Sequence, residues 1–217
     1  MKQMKKSIAF AGVLFILATI GSLVGGTMIV AAVPDASAGL LTAANRPLLV
    51  AGVLLELVNA VCVAGIAALL APALRLGSDR AATGYAILRT IEAAFCAVVV
   101  LAPLALLYSN GAQAGFAAEM FAVREGVYGL LIPLFFAAGA LVLYAGMFRM
   151  RLVPRFISVW GFAAALLILL SNIAGFALPS GLGETLPLVM GLPIILNELF
   201  LGIWLIVKGL REPVTNA

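Results

Sequence analysis

Six long hydrophobic runs, separated by short polar segments, account for nearly the whole chain. They cover about residues 8–32, 47–73, 82–108, 127–148, 155–178 and 187–208. Each run has the roughly 20 residues with which an α-helix crosses a ~30 Å hydrocarbon core, and none shows the alternation of barrel strands. Because backbone groups in lipid must be satisfied within a segment, the pattern predicts an all-α, polytopic membrane protein. We expect a bundle of six transmembrane helices that forms a single domain over residues 1–217.

The first run is preceded by Lys2, Lys5 and Lys6, an arrangement that also begins secretory signal peptides. The apolar part of a signal peptide has about 7–15 residues, far fewer than this run. We therefore predict a retained first helix. Gly21 and Gly25 form a G-x-x-x-G pair within it, which permits close packing against another helix.

The basic residues between the runs are distributed unevenly. If the N-terminus is cytoplasmic, only Arg46 and Arg124 lie on the outer side. Ten basic residues then lie on the inner side: Lys2, Lys5, Lys6, Arg75, Arg80, Arg149, Arg151, Arg155, Lys208 and Arg211. The positive-inside rule therefore predicts that both termini are cytoplasmic. Of the inner residues, Arg149, Arg151 and Arg155 are candidates for contact with anionic lipid headgroups.

The composition is that of a membrane protein and excludes several classes of function. The 217 residues are 65% hydrophobic and 10% charged, against roughly 45–50% and 25% in soluble domains. The net charge of +4 comes from basic residues at the ends of the runs, so we expect no nucleic-acid partner. The chain has no histidine, which excludes imidazole ligation of haem and the usual catalytic zinc sites. We therefore predict no cofactor and no resident metal.

Four charged residues interrupt the hydrophobic runs: Glu56, Arg89, Glu92 and Glu198. A charge at the centre of a membrane helix costs about 2.5–3.5 kcal/mol even on the lenient insertion scale. At a rise of 1.5 Å per residue, all four lie roughly 10–16 Å from a membrane edge, near the midplane. We therefore expect the three helices that carry them to turn these polar edges toward one another and away from lipid.

Helical spacing relates these charges to nearby polar side chains. Glu56 and Asn59 are three residues apart and therefore share a face of the second helix. Arg89 and Glu92 on the third helix have the same spacing, which allows them to form an ion pair. Asn197 adjoins Glu198 but points about 100° away, so the two are expected to serve different neighbours. The candidates for ligand binding or proton coupling are Glu56, Asn59, Arg89, Glu92, Asn197 and Glu198.

The set of four charges carries an excess of two negative charges if every group is ionised, and burial of such an excess is costly. The excess is relieved if one or two carboxyls are protonated, if water reaches them, if Arg124 reaches in from the outer rim, or if a cation binds. Hard cations prefer carboxylate oxygens, so Glu56, Glu92 and Glu198 are together also conceivable ligands of a metal ion, although their spacing is not diagnostic.

The longest connection, residues 109–126, is external in this topology and mixes aromatic with charged residues. Three interpretations are open: an amphipathic turn at the interface, an early start of the fourth helix, or an ordinary outer loop. Arg124 and Glu125 are candidates at the outer rim of a site in each case.

Four segments together resemble a known family. They are GVLLELVNAV at 52–61, AILRTIEA at 86–93, RLVPRFISVWG at 151–161 and LPIILNELFLGIWLIVKG at 192–209. In this order they resemble the bacterial membrane family catalogued as domain of unknown function 4386. The resemblance implies a compact multi-span protein of a bacterial cytoplasmic (inner) membrane with no assigned activity. The residues that match the family pattern are Glu56, Arg89, Glu92, Arg155 and Glu198.

Three hypotheses of function follow. In the first, the protein binds or transports a small molecule or ion; Glu56 and Glu198 recognise a cation or carry a proton, and Arg89 orients Glu92. In the second, it is a non-catalytic accessory or sensory protein whose polar set is structural. In the third, it is a lipid-modifying enzyme with a lateral opening beside a carboxylate. The expected partners are the lipid bilayer and a small-molecule or cation ligand.

Overall fold

The computed structural model describes residues 2–34, 41–108, 114–177 and 182–212, and these ranges are helical apart from short connections. The elements are α1 (Lys2–Ala32), α2 (Arg46–Arg75), α3 (Asp79–Val98), α4 (Leu101–Tyr108), α5 (Ala114–Gly126), a π-helix (Val127–Leu131), α6 (Ile132–Met150), α7 (Arg155–Ala177) and α8 (Leu182–Val207). Within these ranges six stretches are long and apolar enough to cross a membrane; α3 joins α4 in one, and α5, the π-helix and α6 form another. The predicted all-α, six-span architecture is confirmed.

The fourth span begins earlier than the hydrophobic run that predicted it. Helix starts at Ala114 and continues through the π-helix to Met150, so residues 114–126 are helical, as the early-start interpretation expects, and are not a loop. Residues 109–113 of that connection lie outside the described residues. The physical reason is burial: Ala117 and Phe121 pack into an apolar cluster with α1, α2 and α4, and Arg124 is buried as well. The charges of this segment therefore do not mark a solvated loop.

The six spans form a closed ring. Each span packs mainly on the next one along the chain, and α8 returns to pack on α1. Glycines permit the closest approaches between the backbones of neighbouring helices. A Cβ atom at Gly12 on α1 would collide with the carbonyl oxygen of Gly202 on α8, and one at Gly25 would lie 3.0 Å from the carbonyl oxygen of Gly52 on α2. The predicted role of Gly21 and Gly25 in close packing is therefore seen at the α1–α2 contact.

Two apolar clusters fill the ring, one toward each end. One cluster lies at the end with the α2–α3 and α6–α7 connections, here called the basic end because residues 75–80 and 149–155 carry five arginines. The other is formed by the opposite half of α1, the start of α2, α4 and α5. On α2 the second cluster ends at Val53 and the first begins at Cys62, and Glu56 and Asn59 lie in the interval between them. On α2 the polar residues therefore lie between the two clusters, whereas Arg89 and Glu92 lie between Tyr85 and Ala93 of the first cluster. These polar residues together are here called the polar layer.

Candidate functional site

The side chains of the polar layer and their polar neighbours fall into two groups that lie on different helices. The Glu56 group connects α1, α2 and the start of the fourth span, and consists of Ser22, Glu56, Arg124, Glu125 and Tyr128. The Arg89 group connects α3, α6 and α8, and consists of Tyr85, Arg89, Glu92, Tyr144 and Glu198.

Arg124 joins two carboxylates in the Glu56 group. Its side chain is 3% exposed, and its Nη2 atom lies 3.9 Å from Oε1 of Glu56, whose side chain is 1% exposed. Its Nη1 atom lies 2.5 Å from Oε1 of Glu125, which is largely exposed. Arg124 therefore reaches into the bundle and neutralises part of the buried negative charge.

Tyr128 closes this group from the π-helix. Its hydroxyl lies 3.0 Å from the Ser22 hydroxyl and donates to the Ser22 carbonyl oxygen at 3.3 Å, while the Arg124 guanidinium lies 5.1 Å from its ring centroid. A Cβ atom at Gly26 would lie 3.1 Å from the Tyr128 hydroxyl and 3.4 Å from Oε1 of Glu56. The missing side chain at Gly26 thus lets α1 approach both polar groups, and the π-helix is a feature often found at functional sites.

The Glu56 carboxylate is under-satisfied. Neither of its oxygens meets the geometry of a hydrogen bond with a described donor, although Tyr128 and Asn59 lie close enough to interact with it. Nε of Arg124 likewise lacks an acceptor among the described residues. A buried carboxylate without hydrogen bonds is costly, and such groups in folded proteins call for an explanation such as an ion or ligand.

A cleft of about 390 Å³ lies between α1 and the segment formed by α5 and the π-helix. The described residues that line it are Ser22, Leu23, Gly26, Thr27, Val30, Ala31, Arg124, Glu125 and Tyr128. Its volume falls within the range of roughly 300–1,000 Å³ that is typical of small-molecule sites. Glu56 lies directly behind Gly26 and Tyr128, so a small ligand in the cleft would be close to its carboxylate.

In the Arg89 group, the pairing expected from the three-residue spacing is present. Nη1 of Arg89 lies 2.9 Å from Oε2 of Glu92, and both side chains are 4% exposed. Glu198 is partly buried and lies close enough to interact electrostatically with the Arg89 guanidinium and with Glu92. The hydroxyls of Tyr85 and Tyr144 lie within electrostatic range of Glu198, and neither finds a hydrogen-bond partner among the described residues.

The two asparagines of the predicted set have different roles. Asn197 donates from Nδ2 to the carbonyl oxygen of Ile157 at 3.1 Å and so joins α8 to α7. The adjacent Glu198 interacts instead with Arg89 on α3. Asn59 lies beside Glu56 and close to the buried thiol of Cys96, which also interacts with Glu92. Cys96 therefore lies between the two groups.

Two other sequence-based expectations have different outcomes. A shared metal site of Glu56, Glu92 and Glu198 is not formed, because these carboxylates are divided between the two groups; among the described residues no three acidic or cysteine side chains are placed to hold an ion. The arginines at 149, 151 and 155 are exposed at the basic end, as a headgroup contact requires. Arg155 also stacks on Phe148, with its guanidinium 5.4 Å from the ring centroid.

Sequence reasoning missed three members of the site. Ser22, Gly26 and Tyr128 carry no charge, and they meet only because α1 and the fourth span come together across the bundle. The signal of the site that the sequence of α1 did contain was the glycine pair Gly25 and Gly26, three residues after Ser22. No local pattern indicates the π-helix that places Tyr128.

Comparison with known proteins identifies a family and no activity. No curated protein and no solved structure matches the chain significantly. A family model described as a domain of unknown function (DUF4386) matches residues 10–209, a range that begins in the first span and ends beyond the last. The chain therefore belongs to the DUF4386 family of multi-pass membrane proteins.

Proposed function

We propose that the protein binds a small cation beside Glu56 and transports it, or a proton in its place, through the polar layer. The observation that supports this most directly is the under-satisfied carboxylate of Glu56 behind a cleft of ligand size. Intramembrane carboxylates of this kind commonly mark ion pathways and proton relays. Small molecules with an amine group and inorganic monovalent cations are the ligand classes that fit this chemistry.

The charge balance favours a cation. In the Glu56 group, Arg124 faces the two carboxylates of Glu56 and Glu125, and in the Arg89 group one arginine faces Glu92 and Glu198. Each group therefore has one negative charge more than it has positive charges when all groups are ionised. In the Arg89 group this excess lies in the low-dielectric interior, where it is costly and where a proton or cation would remove it. In the Glu56 group Glu125 is largely exposed, so the exposed side of that group is where a cation would meet the excess charge.

The Arg89 group also supports the structural hypothesis. Arg89 and Glu92 are paired at 2.9 Å on one helix, and the Arg89 guanidinium lies 5.6 Å from the Phe136 ring centroid on α6, so this arginine is held from two sides. We assign the pair a structural role within the bundle, and we assign ligand recognition to Glu56. Glu198 is the further proton-carrying candidate because no salt bridge neutralises it among the described residues.

The enzymatic hypothesis has less support. It requires a lateral opening beside a carboxylate. The cleft lined by Glu125 meets this requirement, but Ser22, the serine among its described lining residues, lies 3.0 Å from the Tyr128 hydroxyl and is not paired with a base that would activate it as a nucleophile.

A flux assay tests the proposed function. The protein is reconstituted into liposomes that contain the pH-sensitive dye pyranine, and sodium or potassium chloride is added outside. We expect at least one of these cations to change the internal pH, and Glu56→Gln to slow the change by about tenfold or more, which corresponds to ~1.4 kcal/mol. Glu119→Gln, which removes an exposed carboxylate from α5, is the matched control. Wild-type protein that shows neither flux nor cation-dependent thermal stabilisation would remove the basis of the proposal.

We also propose that both termini are cytoplasmic and that the membrane is a bacterial cytoplasmic membrane. The burial of Arg124 strengthens the charge argument, because Arg46 is then the single predicted outer arginine that is not enclosed by the bundle. In a variant that lacks Cys62 and Cys96, we expect a cysteine at Ala36 to react with a membrane-impermeant maleimide added outside spheroplasts. A cysteine at Arg80 is the control and is expected to react only after permeabilisation; the reverse pattern would overturn the orientation.

A further inference from the structure

A groove of about 260 Å³ runs between α6 and α7 at the basic end of the bundle. The described residues that line it are Tyr144, Ala145, Phe148, Arg149, Ser158, Val159 and Phe162. Phe148, Val159 and Phe162 are exposed on the outside of the ring, so the groove faces the hydrocarbon of the bilayer. An apolar chain therefore has direct access to it.

The wall of the groove contains a hydroxyl group that lacks a partner. Ser158 is 0% exposed, and its hydroxyl makes no hydrogen bond with a described residue. Serine and threonine in helices commonly bond to a carbonyl oxygen of the preceding turn, as Thr19 does to Phe15 at 2.9 Å, but Ser158 does not. An unpartnered donor beside an apolar groove is expected to meet an acceptor, because a buried donor without one is costly. Tyr144 also lines the groove, but its hydroxyl lies within range of Glu198 inside the bundle.

Depth suggests which acceptor this is. Ser158 lies three residues after the first residue of α7, a rise of roughly 4–5 Å along the helix. At this depth a phospholipid presents its ester carbonyl oxygens, which accept hydrogen bonds but cannot donate them. The groove thus places the Ser158 donor at the level of the ester groups and apolar side chains beside the acyl chain.

The positive charge around the groove suggests the headgroup. Arg149 lines the groove, and Arg151 and Arg155 are exposed at the same end. The sequence contains no acidic residue between Glu125 and Glu184, and no salt bridge of the described residues joins a carboxylate to the three arginines. A headgroup with a net negative charge fits this environment better than a zwitterionic one.

We propose that the groove between α6 and α7 is a binding site for one anionic phospholipid. Its acyl chain lies against Phe148, Val159 and Phe162, an ester oxygen accepts from Ser158, and its phosphate lies at Arg149. This inference uses none of the residues that the transport proposal assigns to ligand binding, so either proposal can fail without the other.

Native mass spectrometry of the detergent-solubilised full-length protein tests the site. Phosphatidylglycerol and phosphatidylcholine with identical acyl chains are titrated separately. We expect the first bound phosphatidylglycerol to be favoured over phosphatidylcholine by about fivefold, the preference that one arginine near an anionic surface supplies. Arg149→Gln should remove this preference, and Ala145→Phe, which fills the groove while leaving Arg149 in place, should weaken binding of both lipids.

Arg80→Gln is the matched control, because it removes an exposed arginine from the same end without altering the groove. The α2–α3 connection that directly precedes it packs near the end of α6, as the contact of Gly77 with Met150 shows. Val159→Phe is a second groove-filling variant at a position that is already 55% exposed, in case Ala145→Phe does not fold. The proposal is overturned if both lipids bind the wild-type protein equally, or if Arg80→Gln weakens phosphatidylglycerol binding as much as Arg149→Gln. It is also overturned if the groove-filling variants fold and still bind phosphatidylglycerol like the wild-type protein.

Discussion

Replacement of Arg89 by methionine is expected to lower the free energy of unfolding by about 3–5 kcal/mol, the usual cost of breaking a buried ion pair by removal of one partner. Arg89 is buried, its Nη1 atom lies 2.9 Å from Glu92, and Glu198 interacts with the same guanidinium. Methionine fills a similar volume, so the loss reports the two carboxylates left without a cation rather than a cavity. Reversible unfolding in SDS micelles, followed by far-UV circular dichroism, measures the effect.

Two further variants isolate the cause. Arg89→Met combined with Glu92→Gln should recover a large part of the loss, because the closest uncompensated carboxylate is then removed. Arg75→Met breaks the exposed Arg75–Asp79 pair, whose atoms lie 3.4 Å apart, and should change stability by less than about 1 kcal/mol. If Arg89→Met is as mild as Arg75→Met, the polar layer is well hydrated and the assignment of a structural role to the Arg89–Glu92 pair is wrong.

The second large effect is expected at the closure of the ring. Gly12→Ala should destabilise the protein by about 1–3 kcal/mol, toward the upper end of the range for overpacking. The reason is that the new Cβ atom would collide with the carbonyl oxygen of Gly202, and backbone cannot rotate away as a side chain can. The α1 and α8 helices would have to separate.

Gly84→Ala is the control for this substitution. Gly84 lies inside α3, and a Cβ atom there would meet no heavy atom within 4 Å. Because alanine favours a helix over glycine, this change should be neutral or stabilise the protein by up to about 1 kcal/mol. Equal effects of the two substitutions in SDS unfolding would contradict the close α1–α8 contact.

Much of the fold could be predicted because lipid imposes a simple rule on the chain. A run of about 20 apolar residues must form a helix in a bilayer, so the number and approximate positions of the spans follow from composition along the sequence. The fourth span shows where this rule is incomplete. Its first turns contain Arg124 and Glu125, and hydropathy alone cannot show that the guanidinium of Arg124 is enclosed by Glu56 and Tyr128.

The candidate site could be predicted in part for the same reason. Glu56, Arg89, Glu92 and Glu198 are conspicuous because a charge within a hydrophobic run is rare, and their helical spacing correctly indicated the Arg89–Glu92 pair. Ser22, Gly26 and Tyr128 gave no such signal, since neutral polar residues and glycine are ordinary in membrane helices.

The sequence by itself determined the class of the protein, the six spans and the presence of ionisable groups at membrane depth, because these depend on the cost of placing each residue in hydrocarbon. Only the tertiary structure decided how the charges are grouped. It divides them into a Glu56 group and an Arg89 group, brings Arg124 to Glu56, and opens one cleft and one groove beside unpartnered polar atoms. These outcomes depend on which helix faces are neighbours in the closed ring, and on glycines whose effect exists only once a second helix is present.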